Sequence, residues 1–185
     1  MSEKRKAKET PENKALVFSA LSYDPLTGEF RWKKSRRNGH GVGTVAGCLH
    51  RSGYFLISVD RIKFPSQRLA WLFHTGEWPK EHIDHINMEK SDNRICNLRE
   101  ATYSQNAFNN PKPPCNTSGF KGVSWSTRSN KYRAQITAYG KRHYLGLFDD
   151  ASLAHEAYRA ASSRLHGEFS RPDSACLDKV KEMNQ

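Results

Sequence analysis

The chain has 185 residues, enough for one or two domains, and Lys plus Arg outnumber Asp plus Glu by 30 to 19, a formal net charge of +11. An excess of this size favours a polyanionic partner, although an ordinary basic surface would show it too. The absence of any run of about 18 apolar residues predicts no membrane span, and the N-terminus lacks the apolar core of a signal peptide.

Cysteine spacing excludes two further classes of protein. Cys48, Cys96, Cys115 and Cys176 form no Cys-x-x-Cys pair, which argues against a zinc ribbon or a disulfide framework. Widely spaced cysteines suit a reducing cytosol.

Residues 1–13 are charged and polar, and we expect them to be a disordered basic tail. Residues 15–21 predict a short helix capped by Asn13. Asp24-Pro25 and Thr27-Gly28 lie between aromatic residues and predict a tight turn that joins two short strands.

The segment 33–43 is basic and rich in glycine. Between residues 29 and 68 the chain carries nine Lys and Arg, Arg68 among them, against two acidic residues. This concentration favours contact with a DNA backbone, for which Lys34, Arg36 and Arg37 are the candidates, and a solvated loop is the alternative.

Residues 45–64 are apolar and β-rich, with a turn at Asp60-Arg61, and predict a small antiparallel sheet. A helix follows, for which Ser66 is the predicted cap and Gly76 the predicted end. Its apolar stripe of Leu69, Ala70, Leu72 and Phe73 predicts a core-facing surface.

The stretch Ile83-Asp84-His85-Ile86 places a carboxylate beside an imidazole on a β-branched run, which favours a strand. A polar, turn-rich segment follows, then a return strand over 98–101 and a short helix over 103–110. Hairpin and helix can bring Asp84, His85, Asn97 and Asn106 to one point. The alternative is a turn-rich hairpin whose asparagines only satisfy their own backbone.

These residues resemble the HNH endonucleases, and most of all their phage- and intron-encoded, homing-type branch. The resemblance lies in Asp84-His85-Ile86-Asn87, Asp92-Asn93-Arg94-Ile95-Cys96-Asn97-Leu98-Arg99 and Gln105-Asn106. It implies a ββα-metal fold that holds one Mg²⁺ or Mn²⁺ ion per active site. By position Asp84 and Asn106 are metal ligands, His85 is the general base, Asn97 holds the loop and orients His85, and Asn93 shapes the loop.

The segment 111–118 contains three prolines and predicts a linker at a domain boundary. Beyond it, strands over 122–125, 132–138 and 142–147 precede a helix capped by Asp149 or Asp150 and ended before Gly167. Leu145 and Leu147 are expected on one face of their strand. The pattern predicts a three-stranded antiparallel sheet with one α-helix on one face and polar side chains on the other.

This segment resembles the ERF-type DNA-binding domain of plant transcription factors. The resemblance lies in Gly122-Val123-x-Trp125, Tyr132-Arg133-Ala134-Gln135-Ile136, Tyr144-Leu145-Gly146-x-Phe148 and Ala154-x-x-Ala157-Tyr158-x-x-Ala161. It implies that Lys121, Gln135, Arg142 and Tyr144 contact DNA. Arg128, Lys131 and Arg133 are added as candidates for phosphate contact. Ser124 and Thr137 stand where that family has arginines, so its sequence preference does not transfer.

The sequence thus predicts an α+β protein: a tail over 1–13, an HNH nuclease domain over 14–110, a linker over 111–118, an ERF-type domain over 119–171 and a tail over 172–185. The predicted function is metal-dependent endonuclease activity on double-stranded DNA, with nicking by a monomer, in the cytoplasm of a host cell where a phage encodes it. The oligomeric state is left open. Two alternatives are a DNA-binding regulatory protein with a relic nuclease domain and a nuclease or binding protein directed to RNA.

Overall fold

The structure is a computed structural model that describes residues 9–35, 41–109 and 116–170. These residues form four α-helices: α1 (Pro11–Ala20), α2 (Ser66–Thr75), α3 (Tyr103–Phe108) and α4 (Ala151–His166). The strands are β1 (Leu21–Tyr23), β2 (Phe30–Trp32), β3 (Cys48–Leu49), β4 (Phe55–Val59), β5 (Ile62–Pro65), β6 (His82–His85), β7 (Leu98–Ala101), β8 (Val123–Ser126), β9 (Lys131–Ala138) and β10 (Lys141–Phe148). Over these ranges, every helix is too short or too polar to cross a membrane.

Internal contacts divide the chain into two units, one up to Ala101 and one from Thr102 onward. The division assigns α3 to the second unit, although the sequence groups this helix with the nuclease motif. A linker over 111–118 stays a prediction, because residues 110–115 lie outside the described ranges.

Helix α1 begins earlier than its sequence suggests. Thr10 is the N-cap, its hydroxyl accepts a hydrogen bond from the Asn13 nitrogen at 3.2 Å, and Pro11 occupies the first turn. A proline there has its φ preset for the helix and gives up no hydrogen bond. The predicted cap at Asn13 and the predicted disorder of residues 9–13 are therefore wrong, while residues 1–8 lie outside the described ranges.

The first unit contains three small antiparallel sheets, β1-β2, β3-β4-β5 and β6-β7. The turn at Asp60 and Arg61 is confirmed by their positive φ angles of 44° and 66°. Helix α2 ends at Gly76 as predicted, with φ 80°, but its N-cap is Pro65 rather than Ser66, which is the first helical residue. The core of this unit is made of buried aliphatic and aromatic side chains: Val17, Leu21, Phe30, Trp32, Ile57, Phe64, Leu69, Leu72, Ile83 and Leu98.

Arg68 belongs to this core and is not a surface cation. It is 4% exposed, and its guanidinium donates to both carboxylate oxygens of Glu9, to the Glu81 carbonyl and to the Pro79 carbonyl. Counting Arg68 toward a DNA-contacting surface is therefore wrong, because a fully paired, buried guanidinium offers nothing to a phosphate.

The second unit has its three strands in the order β10-β9-β8, with α4 on one face. Asp150 caps α4 by accepting a hydrogen bond from the Ser152 nitrogen, and Gly167 follows the helix. A β-bulge between Tyr144 and Gly146 makes one prediction wrong. The extra residue shifts the side-chain alternation, so Leu145 packs into the core while Leu147 pairs with Arg133 on the other face.

Candidate active site

The hairpin of β6 and β7 forms the candidate site. Its register places Asp84 opposite Arg99 and His85 opposite Leu98. Ile83 and Leu98 belong to the hydrophobic core and fix the hairpin in place. Asp84 and His85 are only 5% and 4% exposed. A buried carboxylate and a buried imidazole, side by side on one strand, need specific partners.

The partner of Asp84 is Arg99. The Nε and one terminal nitrogen of Arg99 donate to Asp84 Oδ2 at 3.0 and 2.8 Å. The ion pair is largely buried, so removing either member alone would leave an uncompensated buried charge and would be costly. The sequence motif assigned no role to Arg99. If the return strand begins at Leu98 and Leu98 pairs with His85, Arg99 lies opposite Asp84.

The partner of His85 is Asn93, whose Oδ1 lies 3.3 Å from His85 Nε2. Asn93 Nδ2 donates to the Ser91 carbonyl at 3.2 Å, which fixes the amide so that its oxygen faces the ring. Since that oxygen only accepts, His85 carries its proton on Nε2, and Nδ1 is the basic nitrogen. Burial lowers the pKa of His85 below its usual value, although the hydrogen bond to Asn93 and the charge of Asp84 act in the opposite direction.

The loop between the two strands is held by Asn97, which is 2% exposed. Its Oδ1 accepts from the Asn87 nitrogen at 3.0 Å, and its Nδ2 donates to the Asp92 carbonyl at 2.9 Å. The amide thus bridges both ends of the turn. These bonds support the predicted loop-holding role, and any effect of Asn97 on His85 passes through the loop backbone.

The first hairpin supports the same loop from the other side. The Tyr23 hydroxyl donates to the Asn93 carbonyl at 2.8 Å, and burial raises the pKa of Tyr23, so the phenol stays protonated. Gly28 has φ 74°, and a Cβ there would lie 2.5 Å from the Arg94 nitrogen. The turn after β1 therefore fits against the backbone of Asn93 and Arg94 only because residue 28 is glycine.

Comparison with known proteins identifies the hairpin. The family model described as HNH endonuclease matches residues 65–108. Protein 3.8 of Escherichia phage T7 is 37% identical over 103 residues, which cover 55% of this chain and 84% of that protein. Residues 65–108 therefore form an HNH endonuclease domain. A mimivirus protein named an uncharacterized HNH endonuclease, from Acanthamoeba polyphaga mimivirus, is 28% identical over 160 residues, 85% of this chain and 74% of that protein. No solved structure matches.

Asn106, which the resemblance assigns to the last HNH position, lies on α3 in the second unit and is half-buried. The helix starts with a capping box, in which Thr102 Oγ1 accepts from the Gln105 nitrogen and Gln105 Oε1 accepts from the Thr102 nitrogen. This reciprocal pair sets the first turn of the helix. The role of Asn106 as a metal ligand stays a prediction.

Asp84 supplies a hard oxygen donor in the hairpin. Among the residues that the structure describes, no three or more His, Cys, Asp or Glu side chains gather as ligands. Mg²⁺ commonly takes one or two carboxylates and fills its shell with water and phosphate oxygens. Asp84, the buried carboxylate of the hairpin, fits a hard cation of this kind.

Four predicted DNA contacts of the second unit lie on one face of its sheet: Arg133, Gln135, Arg142 and Tyr144. Arg133, Gln135 and Thr137 alternate along β9 with buried Ala134 and Ile136. Across the strands, Tyr144 lies opposite Gln135 and Arg142 opposite Thr137. Arg133, Arg142 and Tyr144 are exposed, Tyr144 to 63%. The face away from α4 is therefore cationic and aromatic.

The remaining cations lie elsewhere. Arg128 is exposed in the β8–β9 turn and Lys34 is exposed after β2. Lys131 pairs with Asp149 at 2.9 Å, and the Lys121 ammonium donates to the Phe108 carbonyl at 2.7 Å. Arg36 and Arg37 lie outside the described residues.

Proposed function

We propose that this HNH endonuclease hydrolyses phosphodiester bonds in double-stranded DNA, with His85 as general base and a divalent cation as cofactor. The observation that carries the proposal is the pairing, on one buried strand, of a carboxylate held by Arg99 and an imidazole oriented by Asn93. A purely structural hairpin has little use for this arrangement, because burying both groups costs free energy that apolar residues would not.

The proton transfer follows from the state of His85. Because burial lowers its pKa, His85 is neutral at pH 7. Its Nε2 proton is engaged by Asn93 Oδ1, so Nδ1 accepts the proton of the water that attacks phosphorus. The deprotonated water forms a bond to phosphorus as a hydroxide-like nucleophile. The bond from phosphorus to the 3′ oxygen breaks, and this oxygen is the leaving group. The family resemblance implies products with a 5′ phosphate and a 3′ hydroxyl.

Asp84 and Asn106 would hold the cation, Mg²⁺ or Mn²⁺, as the family resemblance implies. When bound, the ion would offset the negative charge that develops on the phosphate and the leaving oxygen. Arg99 donates two hydrogen bonds to Asp84 Oδ2 and fixes the carboxylate in the hairpin.

The second unit would serve as an ERF-type targeting module. Its exposed face offers Arg133 and Arg142, which suit phosphate or guanine, and Gln135, which suits adenine. Tyr144 adds an aromatic surface beside them. Lys34 and Arg128 would add phosphate contacts. This arrangement supports site-directed cleavage of the homing type, in which the sheet of the second unit recognises DNA and the hairpin of the first unit supplies the general base.

A monomer has one HNH hairpin and would cut one strand at a time. We therefore expect nicked circular DNA as its product, with linear DNA appearing only after independent second cuts.

The test uses supercoiled plasmid with Mg²⁺, in which wild type, His85→Ala and a matched control, His74→Ala, are compared. His74 is an exposed histidine on α2 and takes no part in the site. We expect His85→Ala to lose about 10³-fold or more in nicking rate while duplex binding is retained, and His74→Ala to behave as wild type. Equal nicking by all three proteins would refute the assignment. An RNA duplex tested in parallel should stay intact, and its cleavage would point to the RNA alternative.

A further inference from the structure

We infer that the second unit positions the nuclease helix α3 through Phe108, and that His166 and Lys121 are positioning residues for Asn106. The inference rests on the proposed function, since it concerns the helix that carries the proposed ligand Asn106. It gives the second unit a role beyond DNA recognition.

Helix α3 cannot hold its own orientation. It has six residues, fewer than the roughly 12–15 needed for marginal stability in isolation. Its one buried helical residue is Phe108. Side chains two positions apart on a helix point about 200° apart, so packing Phe108 inward turns Asn106 to the opposite side. The direction of Asn106 is thus set by whatever holds Phe108.

Aromatic rings of the second unit hold Phe108. Its ring stacks on that of His166 with centroids 3.8 Å apart and planes inclined by 8°. The edge of Tyr139 meets it at 5.5 Å and 90°. One ring below and one at the side restrict both the tilt and the rotation of Phe108, and through it the last turn of α3.

His166 is itself fixed, so that it acts as a rigid platform. It ends α4 and is 5% exposed. Its Nε2 lies 3.1 Å from the Thr137 carbonyl, which can only accept, so Nε2 carries the proton. Nδ1 then accepts from the Ser162 hydroxyl at 3.2 Å, and Ser162 is also bonded to the Ser170 hydroxyl at 2.8 Å. Bonds at both nitrogens fix the plane of the ring.

Lys121 holds the C-terminal end of the helix. Its ammonium donates to the Phe108 carbonyl at 2.7 Å, and the last carbonyls of a helix lack partners within the helix. A lysine at this position also complements the helix dipole. Two contacts of different kinds, one to the ring and one to the backbone of the same residue, therefore converge on Phe108. Because Thr137 belongs to the strand that presents the DNA-facing side chains, the same strand supports recognition and α3.

A double-mutant cycle in the full-length protein tests the inference. His166→Ala and Asn106→Ala are made singly and together, with His166→Phe as the variant that keeps a stacked ring. If His166 acts through Asn106, His166→Ala should slow nicking about tenfold alone and by less than about twofold in the Asn106→Ala background. His166→Phe should recover most of the rate. An equal penalty in both backgrounds would overturn the positioning role.

Amide hydrogen exchange without metal or DNA provides the second measurement. His166→Ala should accelerate exchange at Asn106 and Ala107, and so should Lys121→Met, which keeps the alkyl stem but removes the ammonium. Circular dichroism shows whether the sheet stays folded in each variant. Unchanged exchange in both folded variants would overturn the inference. Accelerated exchange together with wild-type nicking by Asn106→Ala would keep the anchor and refute the ligand role in the proposed function.

Discussion

Replacing Asn93 by Ala tests the chemistry of the hairpin most directly. The substitution removes the oxygen that accepts from His85 Nε2 at 3.3 Å. Two consequences follow for the general base. The Nε2 proton loses its acceptor in a site where His85 is only 4% exposed, and the ring becomes free to carry its proton on Nδ1, the nitrogen that must accept one.

The size of the effect follows from burial and distance. A buried donor left without a partner costs about 1–3 kcal/mol, and at 3.3 Å the bond is slightly longer than usual. A cost near the lower limit, about 1.4 kcal/mol, corresponds to a tenfold loss of rate. The hydrogen bond to Asn93 raises the pKa of His85 against the larger effect of burial. Removing it should therefore lower that pKa further.

The assay is single-turnover nicking of supercoiled plasmid between about pH 5 and 8, a range that brackets the unperturbed imidazole pKa. In the profile of nicking rate against pH, Asn93→Ala should lower the plateau about tenfold. It should also shift the acidic limb, where the rate falls, to lower pH. Asn87→Ala is the matched control, because Asn87 lies in the same loop and bonds Asp92 Oδ2 and the Glu89 nitrogen instead. The control should leave the limb in place. A limb that moves equally in both variants, or in neither, would refute the assignment of Asn93 as the residue that orients His85.

The wild-type nicking rate should stay level from pH 8 to about 6.5 and fall only below it, because the depressed pKa of His85 keeps the base neutral at lower pH; a fall that begins above pH 7 would contradict this. Gly28→Ala should destabilise the protein by about 2–4 kcal/mol in urea unfolding, since its Cβ would lie 2.5 Å from the backbone of the site loop at φ 74°. Gly43→Ala, at φ 81° with open space around it, is the control and should cost about 1 kcal/mol. Arg68→Ala should cost about 3–5 kcal/mol, because it leaves a buried carboxylate unpaired; an unfolding midpoint equal to wild type would show that the ion pair contributes nothing.

The hairpin could be predicted because its signals are local. Isoleucines flank Asp84 and His85, and the polar segment after them has only one compact solution, a turn that returns as a strand. The register that places Arg99 opposite Asp84 comes from the structure and not from these local signals. The second sheet was predictable for the same reason, since Ala134 and Ile136 alternate with polar residues over the length of β9.

What sequence could not supply depends on contacts between distant residues. Arg68 lies between basic surface positions in the sequence, and only the fold shows that Glu9 neutralises it, 59 residues away. The bulge at Leu145 moves Leu147 to the opposite face, and strict alternation cannot predict an extra residue. The hydrogen bond between Asn93 and His85 depends on the contact between the turn after β1 and the loop that carries Asn93. The pattern of asparagines in the sequence does not encode this contact.

Asp84 places a carboxylate on a strand that belongs to the core. Two nitrogens of Arg99 donate to its Oδ2 in a buried pair, which offsets the cost of burying the carboxylate. The positive charge that a cation would bring is therefore partly supplied in advance by the protein. This permits the hairpin to fold around Asp84 before any metal binds. If Asp84 is the proposed metal ligand, a cation and Arg99 would share one carboxylate. Competition from the Arg99 guanidinium would then lower the affinity of Asp84 for the cation, so we expect Arg99→Ala to change the Mg²⁺ concentration needed for nicking.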